Sequence, residues 1–333
     1  MKAYRRSAVR HLAATVFALA GAACRSHSQP APTKAGAAEG GAAMALAASD
    51  ASSDAFLARF PPIEVVDSGP TASGIPLPAA SVEAAINPTH APPYSGPTGT
   101  IEGVVHVSGD QAPKRVLSIP FECGEAYATY GKAFREGNGR TLADVMVAVT
   151  QYQGFVPAAS DVYPVTIHGC AYDKRTLALA FGQRIEVRNA DAAQLFLPVL
   201  VGADLAAQNM AVPKGDAVRL YPLKIGHYVL ADGMERTWMY ADVFVVRYAT
   251  HTVTGLDGHY RLTGIPVGKV KVSAYLPAID AGLHPDVGSP NPSVEHDIEV
   301  KAEETSKLDF VIPYKAPKPA PKSLPRPEGA IIR

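Results

Sequence analysis

The sequence predicts an all-β protein: two antiparallel β-sandwiches in tandem, carried on a disordered N-terminal tether. Between residues 99 and 313, short runs alternate apolar and polar residues with a period of two, as half-buried strands do. Turn residues interrupt these runs every ~8–12 positions, a spacing typical of sandwiches. No long stretch of this region has the 3.6-residue period of a helix. The region is long for one small sandwich, which favours two.

The individual strands can be read in order. The runs TIEGVVHV and DVMVAV open the series, and RIEVRN, DVFVV, HYRL, KVKVSAYL and HDIEV repeat the alternation. Turns are legible between them as PKGD, LDGHY and PVGK. The first two runs place one set of apolar side chains on a single face each: Ile101, Val105, Val107, Val145, Val147 and Val149.

The charge balance and the glycine and proline content indicate what kind of partner and structure to expect. The chain has 31 basic and 31 acidic residues among 333, so it has no general field that would attract nucleic acid. Its 28 glycines and 29 prolines exceed the usual share and indicate many turns together with unfolded sequence.

The N-terminus predicts export. A basic stretch, MKAYRRSAVRH, precedes an apolar run of 12 residues, LAATVFALAGAA, which is too short to span a bilayer. Residues 1–24 are therefore interpreted as a signal peptide. The small residues before Cys24 resemble a lipobox, which implies lipidation of that cysteine and a periplasmic or outer-membrane-anchored lipoprotein. The alternative is ordinary cleavage, which would give a soluble exported protein.

Two flanking segments have compositions that cannot bury enough apolar surface to fold. Residues 25–98 are dominated by Ala, Pro, Ser and Gly and are predicted to form a disordered linker. Residues 314–333 form a Pro- and Lys-rich segment that is predicted to be an extended tail.

The cysteine count indicates a disulfide. If Cys24 carries lipid, Cys123 and Cys170 remain as a pair in an oxidising compartment, where a bridge is favoured. The alternative is two buried thiols.

The stretch VTGLDGHYRLTGIPVGKVKVSAYLP resembles the carboxypeptidase regulatory-like domain, a small transthyretin-like sandwich. The likeness rests on the Asp257-Gly258 turn, a short strand, the turn from Pro266 to Gly268, and another strand. It implies such a module over residues 251–313.

The preceding region, residues 99–250, resembles the cupredoxin-like domain of some methylamine-utilisation-type proteins. An ordered series of motifs carries this resemblance: GTIEGVVHVSG, FECGEAY, HGCAYD, GQRIEVRNADA, and TWM followed by a strand. The cysteines of the second and third motifs correspond to the family's pair.

The copper ligands of that family do not carry over. Leu195 lies in the segment where the resemblance places the first histidine, Gly233 where it places the thiolate, and Arg236 where it places the second histidine. Trp238 and Met239 alone keep the family pattern. A blue-copper site needs two imidazoles and a thiolate, so this degenerate copper loop predicts no cofactor, with the last two residues retained for packing.

No other motif indicates catalysis. The histidines show no ligand spacing, and the chain has no Gly-x-Ser-x-Gly, His-Glu-x-x-His or phosphate-loop motif. A rebuilt metal site that uses His227, Met239 and a carboxylate stays open as an alternative.

The sequence therefore predicts a non-enzymatic envelope protein with a binding or scaffolding role. Its expected partner is another envelope protein or a glycan, and it would reach the membrane through a lipid at Cys24. The alternatives are copper binding or electron transfer through a non-standard site, and service as an accessory module of a hydrolase.

Overall fold

The computed structural model describes residues 73–234, 236–277 and 293–316. The predicted signal peptide with its lipidation site Cys24, the predicted linker before residue 73 and the predicted tail beyond residue 316 lie outside the described residues. No helix in the described part of the chain is both long and apolar enough to cross a membrane.

The described residues form mostly strands. Two α-helices are present, α1 (Ala79–Ile86) and α2 (Ala126–Tyr130), with short 3₁₀ turns at Phe121–Cys123 and Asn138–Arg140. The strands are β1 (Thr98–Gly109), β2 (Met146–Thr150), β3 (Val162–His168), β4 (Ala171–Tyr172), β5 (Thr176–Ala180), β6 (Arg184–Asn189), β7 (Pro198–Val201), β8 (Val218–Leu220), β9 (Gly226–Asp232), β10 (Tyr240–Val246), β11 (His251–Val253), β12 (His259–Pro266), β13 (Gly268–Tyr275), β14 (Ser293–Val300), β15 (Thr305–Lys307) and β16 (Phe310–Tyr314).

These strands form four sheets within the described residues. Sheet A has the order β12-β1-β15, with β16 also paired to β1, and sheet B has the order β11-β2-β13-β14. Sheet C has the order β5-β10-β9-β7, and sheet D has the order β4-β3-β6-β8. Most neighbours are antiparallel, and the pairs β1–β15, β1–β16, β5–β10 and β3–β6 are parallel.

The sheets stack as layers. One core lies between sheets C and D, which make the first sandwich, and another lies between sheets A and B, which make the second sandwich. A smaller core joins sheet B to sheet C and consists of Met146, Ala148, Ala178, Phe244, Val246 and Tyr275. The all-β class and the two sandwiches are therefore as predicted.

The stacking explains why β2 and β10 are buried along their whole length. In β2, Val147 faces the core of the second sandwich while Met146 faces the core between sheets B and C. In β10, Val243 faces the core of the first sandwich and Phe244 faces the core between sheets B and C. Both faces of these strands are covered, so both sets of alternating side chains are apolar.

The strand pairing does not follow the predicted division at residue 250. β1 pairs with β12, so that Ile101 lies opposite Leu262, and β2 pairs with β13. In chain order, the first sandwich consists of β3 to β10. The second sandwich consists of strands that precede β3 and strands that follow β10. The predicted end at residue 313 also shifts, because Tyr314 belongs to β16 and is buried.

The predicted disorder of residues 25–98 is wrong from residue 73 onward. α1 lies in this segment, and Val82 and Ile86 pack against the core of the first sandwich. The Ser73 hydroxyl accepts a hydrogen bond from the Ala207 amide over 2.8 Å. A few well-spaced apolar residues suffice to order the segment, although its average composition is that of a linker.

The predicted Asp-Gly turn leads into β12. Gly258 has a φ of +70°, and a Cβ placed there would lie 2.6 Å from the Val105 carbonyl oxygen. The turn therefore requires glycine both for its conformation and for the close approach of β1. The Asp257 side chain accepts a hydrogen bond from the His259 amide over 3.1 Å.

Candidate functional site

The degenerate copper loop joins β9 to β10 at one end of the first sandwich. Backbone hydrogen bonds fix its path: the Met239 amide donates to the Arg236 carbonyl over 2.8 Å, and the Asp232 amide donates to the Met239 carbonyl over 3.2 Å. The Gly233 amide donates to the Leu197 carbonyl over 2.8 Å, which ties the loop to the start of β7. These three backbone hydrogen bonds hold both ends of the loop against the sandwich.

An ion pair occupies the centre of this loop. Arg236 Nη1 lies 2.7 Å from Asp232 Oδ2, and the Asp232 side chain has no solvent exposure. The other carboxylate oxygen accepts a hydrogen bond from the Leu197 amide over 2.8 Å. Both oxygens of this buried carboxylate are therefore paired, as a buried charge requires.

The Arg236 side chain is held from two further directions. Its Nη2 donates to Gln194 Oε1 over 3.2 Å, and its guanidinium lies 4.6 Å from the centre of the Phe196 ring. This arrangement is a cation–π contact combined with a hydrogen bond. Arg236, Asp232, Gln194 and Phe196, called the arginine cluster below, form a satisfied polar centre at the end of the sandwich.

Gly233 in this loop and Leu195 in the segment before β7 have different roles. A Cβ at Gly233 would lie 3.0 Å from a Leu197 methyl and 3.3 Å from a Val199 methyl, so the space beside it is already filled. Leu195 is 42% exposed and lies outside the arginine cluster. The structure therefore brings Arg236 together with Gln194 and leaves Leu195 at the surface.

Trp238 and Met239 are buried in the core of the first sandwich. The indole Nε1 donates to the Cys170 carbonyl over 3.3 Å. Cys170 is bonded to Cys123 with an S–S distance of 2.01 Å, which confirms the predicted disulfide. The tryptophan thus packs beside the disulfide, and its indole N–H is paired with the backbone carbonyl of Cys170.

Two residues of the Asn-x-Asp motif have structural roles that sequence reasoning missed. Asp191 accepts hydrogen bonds from the amides of Gly169 and Cys170 over 2.6 and 3.0 Å. Both residues have positive φ, so the carboxylate holds a tight turn at the disulfide. Asn189 donates to the carbonyls of Gln194 and Ala211 over 2.8 Å each and fixes the segment that carries the arginine cluster.

The rebuilt metal site based on His227 and Met239 is wrong. His227 lies opposite Phe244 in the β9–β10 pair, five residues along β10 from Met239. At ~3.3 Å per strand residue the two are more than ~15 Å apart. His227 Nε2 instead lies 2.9 Å from Asp242 Oδ1, and its ring stacks on Phe244 at 4.8 Å.

Four exposed apolar side chains lie on segments next to the arginine cluster. Phe196 and Ala211 exchange backbone hydrogen bonds of 3.3 and 2.8 Å. This pairing brings Leu195, which precedes Phe196, close in the backbone to Met210 and Val212, which flank Ala211. Four neighbouring side chains are between 41 and 44% exposed. They are called the loop-end patch below: Leu195, Met210, Val212 and Met234.

A second candidate site lies between the two sandwiches. A cleft of about 560 Å³ is lined by residues from both, including Arg135, Asp144, Tyr163 and His251. This cleft has no signature in the sequence, because its residues come from segments far apart in the chain and none belongs to a motif. Within the described ranges no group of three or more His, Cys, Asp or Glu residues is arranged to hold a metal ion.

Part of the chain is similar to proteins of known structure. No protein-family model matches the chain, and no curated protein matches it. Solved structures of amicyanin align with part of it: a reduced tryptophan-to-tyrosine mutant is 18% identical, covers 30% of this chain and 97% of its own, and has a TM-score of 0.23. A reduced proline-to-phenylalanine mutant is 19% identical, with 29% and 98% coverage and the same score.

The copper-containing nitrite reductase of Thermus scotoductus SA-01 also aligns, at 16% identity. The match covers 29% of this chain and 24% of that chain, with a TM-score of 0.22. The chain thus has a weak structural similarity to cupredoxin-type proteins over about 30% of its length. Similarity at this level carries no functional argument.

Proposed function

We propose that this chain is a non-enzymatic binding protein of the cell envelope. Its first sandwich would be a cupredoxin-like shell without copper that docks a partner protein through the loop-end patch. The observation that carries the proposal is the arginine cluster, in which Arg236 and the fully buried Asp232 side chain form a 2.7 Å ion pair at the centre of the degenerate loop.

The residues at the loop do not fit copper. A type 1 site requires two imidazoles and a thiolate. Gly233 and Leu195 offer no ligand atom, and Arg236 offers a permanent positive charge that would repel a cation. Because that charge is already paired with Asp232, the carboxylate is not available as a substitute ligand.

The loop-end patch supports protein docking. Exposed apolar residues that cluster around a polar centre are typical of interaction surfaces, whereas scattered ones need no explanation. Two of the four side chains are methionines, which adapt to a partner's shape because they are flexible and polarisable. The patch also lacks the aromatic side chains that would stack on a sugar ring, so we favour a protein over a glycan at this surface.

The remaining parts fit an envelope role. The N-terminal sequence, with its basic and apolar stretches before Cys24, supports export and anchoring by lipid. The disulfide between Cys123 and Cys170 suits an oxidising compartment. The second sandwich, of which residues 251–313 resemble a carboxypeptidase regulatory-like module, would then serve as a scaffold for the docking surface.

Copper analysis tests the first half of the proposal. The full chain is exported to an oxidising compartment, purified without added metal, and titrated with Cu(II) while absorbance is recorded. We expect substoichiometric copper and no thiolate-to-copper charge-transfer band. About one tightly bound copper per chain would contradict the proposal and favour the electron-transfer alternative.

Site-specific photo-crosslinking in intact cells tests the second half. A photoreactive residue at Met210 or Val212 is expected to crosslink to one protein, and Leu195→Glu is expected to reduce that product because it places a charge in the patch. A photoreactive residue at Val311, which is exposed on sheet A, is the matched control. Equal crosslinking from all three positions, or crosslinking to glycan alone, would contradict docking by a protein.

A further inference from the structure

The cleft between the sandwiches is large enough to hold a ligand. Its volume of about 560 Å³ falls within the range of small-molecule sites, ~300–1,000 Å³. Strands β5 and β11 line it, and each is the edge strand of its sheet. Small side chains line much of the cleft, namely Ala158, Ala159 and Ala249 together with Ala178 of β5.

The charges that line the cleft neutralise one another. Arg135 grips Asp144 with two hydrogen bonds, of 2.6 Å from Nε and 2.5 Å from Nη2. Lys174 Nζ lies 3.0 Å from Asp173 Oδ2. Burial lowers the pKa of His251 to about 4, so that imidazole adds no positive charge at neutral pH. A ligand in the cleft therefore meets polar groups without a net charge.

Both donors and acceptors remain for a ligand. Arg135 uses Nε and Nη2 on Asp144, and its Nη1 has no hydrogen-bond partner among the residues that the structure describes. Burial raises the pKa of Tyr163 to about 12, so its hydroxyl stays protonated and can donate. The carboxylates of Asp144 and Asp173 have further lone pairs that can accept.

We propose that this cleft is a binding site for a neutral, hydroxyl-rich ligand, specifically a saccharide unit. The site lies away from the loop-end patch and uses none of its residues, so it is independent of the proposed protein docking.

Charge balance and hydrogen-bond capacity favour this class of ligand. A charged ligand would lose hydration without gaining an opposite charge in the cleft, which is costly. A saccharide carries hydroxyls that both donate and accept, and each would find a counterpart in the carboxylates, in Arg135 Nη1 or in the Tyr163 hydroxyl. The small alanine side chains leave space for a ring.

Saturation-transfer and amide-shift NMR on the full chain tests the proposal. The probes are glucose, galactose and N-acetylglucosamine, with glucuronate and glucosamine as charged analogues. Tyr163→Phe removes one hydroxyl and preserves the ring, and Ala159→Trp fills the cleft from an exposed loop. Ala302→Trp, at an exposed turn between β14 and β15, is the matched control.

We expect at least one neutral probe to bind with amide shifts at the cleft. Tyr163→Phe should weaken its affinity about fivefold, as the loss of one hydrogen bond implies. Ala159→Trp should abolish binding, Ala302→Trp should leave it unchanged, and the charged analogues should bind at least ~10-fold more weakly than the neutral probe. Failure of all neutral probes at millimolar concentration, equal binding of charged analogues, or binding that survives Ala159→Trp would overturn the proposal.

Discussion

Arg236 neutralises the buried charge at one end of the first sandwich. Its guanidinium satisfies the buried Asp232 carboxylate and covers the Phe196 ring at the same time. Since an unpaired buried carboxylate is far more costly than a solvated one, the two residues depend on each other. The cluster is therefore expected to stabilise the fold as well as to determine what the loop can bind.

Removing the arginine should destabilise the protein. Arg236→Ala leaves Asp232 buried with a single hydrogen-bond donor and should lower the free energy of unfolding by about 3 kcal/mol. Lys224→Ala is the control, because its ion pair with Asp204 is about half exposed and should contribute less than ~1 kcal/mol. Urea denaturation measures both, and equal losses would contradict the assigned role of the cluster.

His251 should make stability depend on pH. Burial lowers its pKa in the folded state to about 4, from 6.5. Below pH 6.5 the unfolded chain binds a proton that the folded chain does not, so stability should fall as the pH drops from 6.5 towards 4.

Chemical denaturation at several pH values checks this expectation. His251→Gln should flatten the pH dependence over that range, because the group that titrates is gone. His168→Gln, at an exposed position, should keep the wild-type profile. Superimposable profiles for wild type and His251→Gln would disprove the contribution of His251.

At the scale of elements, the turn between β3 and β4 is the most constrained part of the first sandwich. Gly169 and Cys170 have positive φ, Asp191 binds both of their amides, and the disulfide ties the turn to Cys123 beside α2. Trp238, in the loop before β10, also contacts this turn by donating a hydrogen bond to the Cys170 carbonyl. The hydrogen bonds of Asp191 and Trp238 and the disulfide thus all stabilise the same conformation of this turn.

Loss of the disulfide should be costly. The bridge spans 47 residues, and closing a loop of this length stabilises the folded state by about 4 kcal/mol in the chain-entropy model. The double variant Cys123→Ala/Cys170→Ala should lose about that amount in urea denaturation. Cys24→Ser is the control and should leave the transition in place, and a double variant as stable as wild type would contradict the expectation.

At the scale of the whole molecule, the second sandwich is completed only after the first has been traversed. β1 and β2 precede β3, yet their partners β12 and β13 follow β10. Phe244 and Tyr275 then meet edge to face at 5.5 Å between sheets C and B, where they join the two sandwiches into one stack. The two sandwiches are therefore expected to depend on each other for folding.

Cutting the chain at residue 250 should abolish folding of the second sandwich. A fragment of residues 99–250 retains β1 and β2 without β12 and β13, and a fragment of residues 251–316 has the opposite deficit. Neither should give protected amides in its part of sheets A and B, whereas residues 73–316 should. Amide exchange measured by NMR decides this, and protection of β1 in the fragment of residues 99–250 would refute the expectation.

The local features of the fold could be predicted from short stretches of sequence. A period of two identified the strands, and oxidising-compartment chemistry together with the cysteine count identified the disulfide, because each signal lies in a short segment. The Asp-Gly turn was legible for the same reason, since Gly258 needs positive φ. The residue types at Leu195 and Gly233 were also visible in the sequence, and neither side chain has a metal-ligand atom.

The contacts between distant segments could not be predicted in this way. The pairing of β1 with β12, the separation of His227 from Met239, and the cleft lined by Arg135 and His251 all join residues distant in the chain. Such contacts depend on burial and hydrogen-bond geometry in the assembled layers. The alternation of apolar and polar residues along one strand does not indicate which other strand it will pair with. The partner of Arg236 was hidden for the same reason: an isolated arginine in a sequence does not indicate whether a carboxylate will be buried beside it.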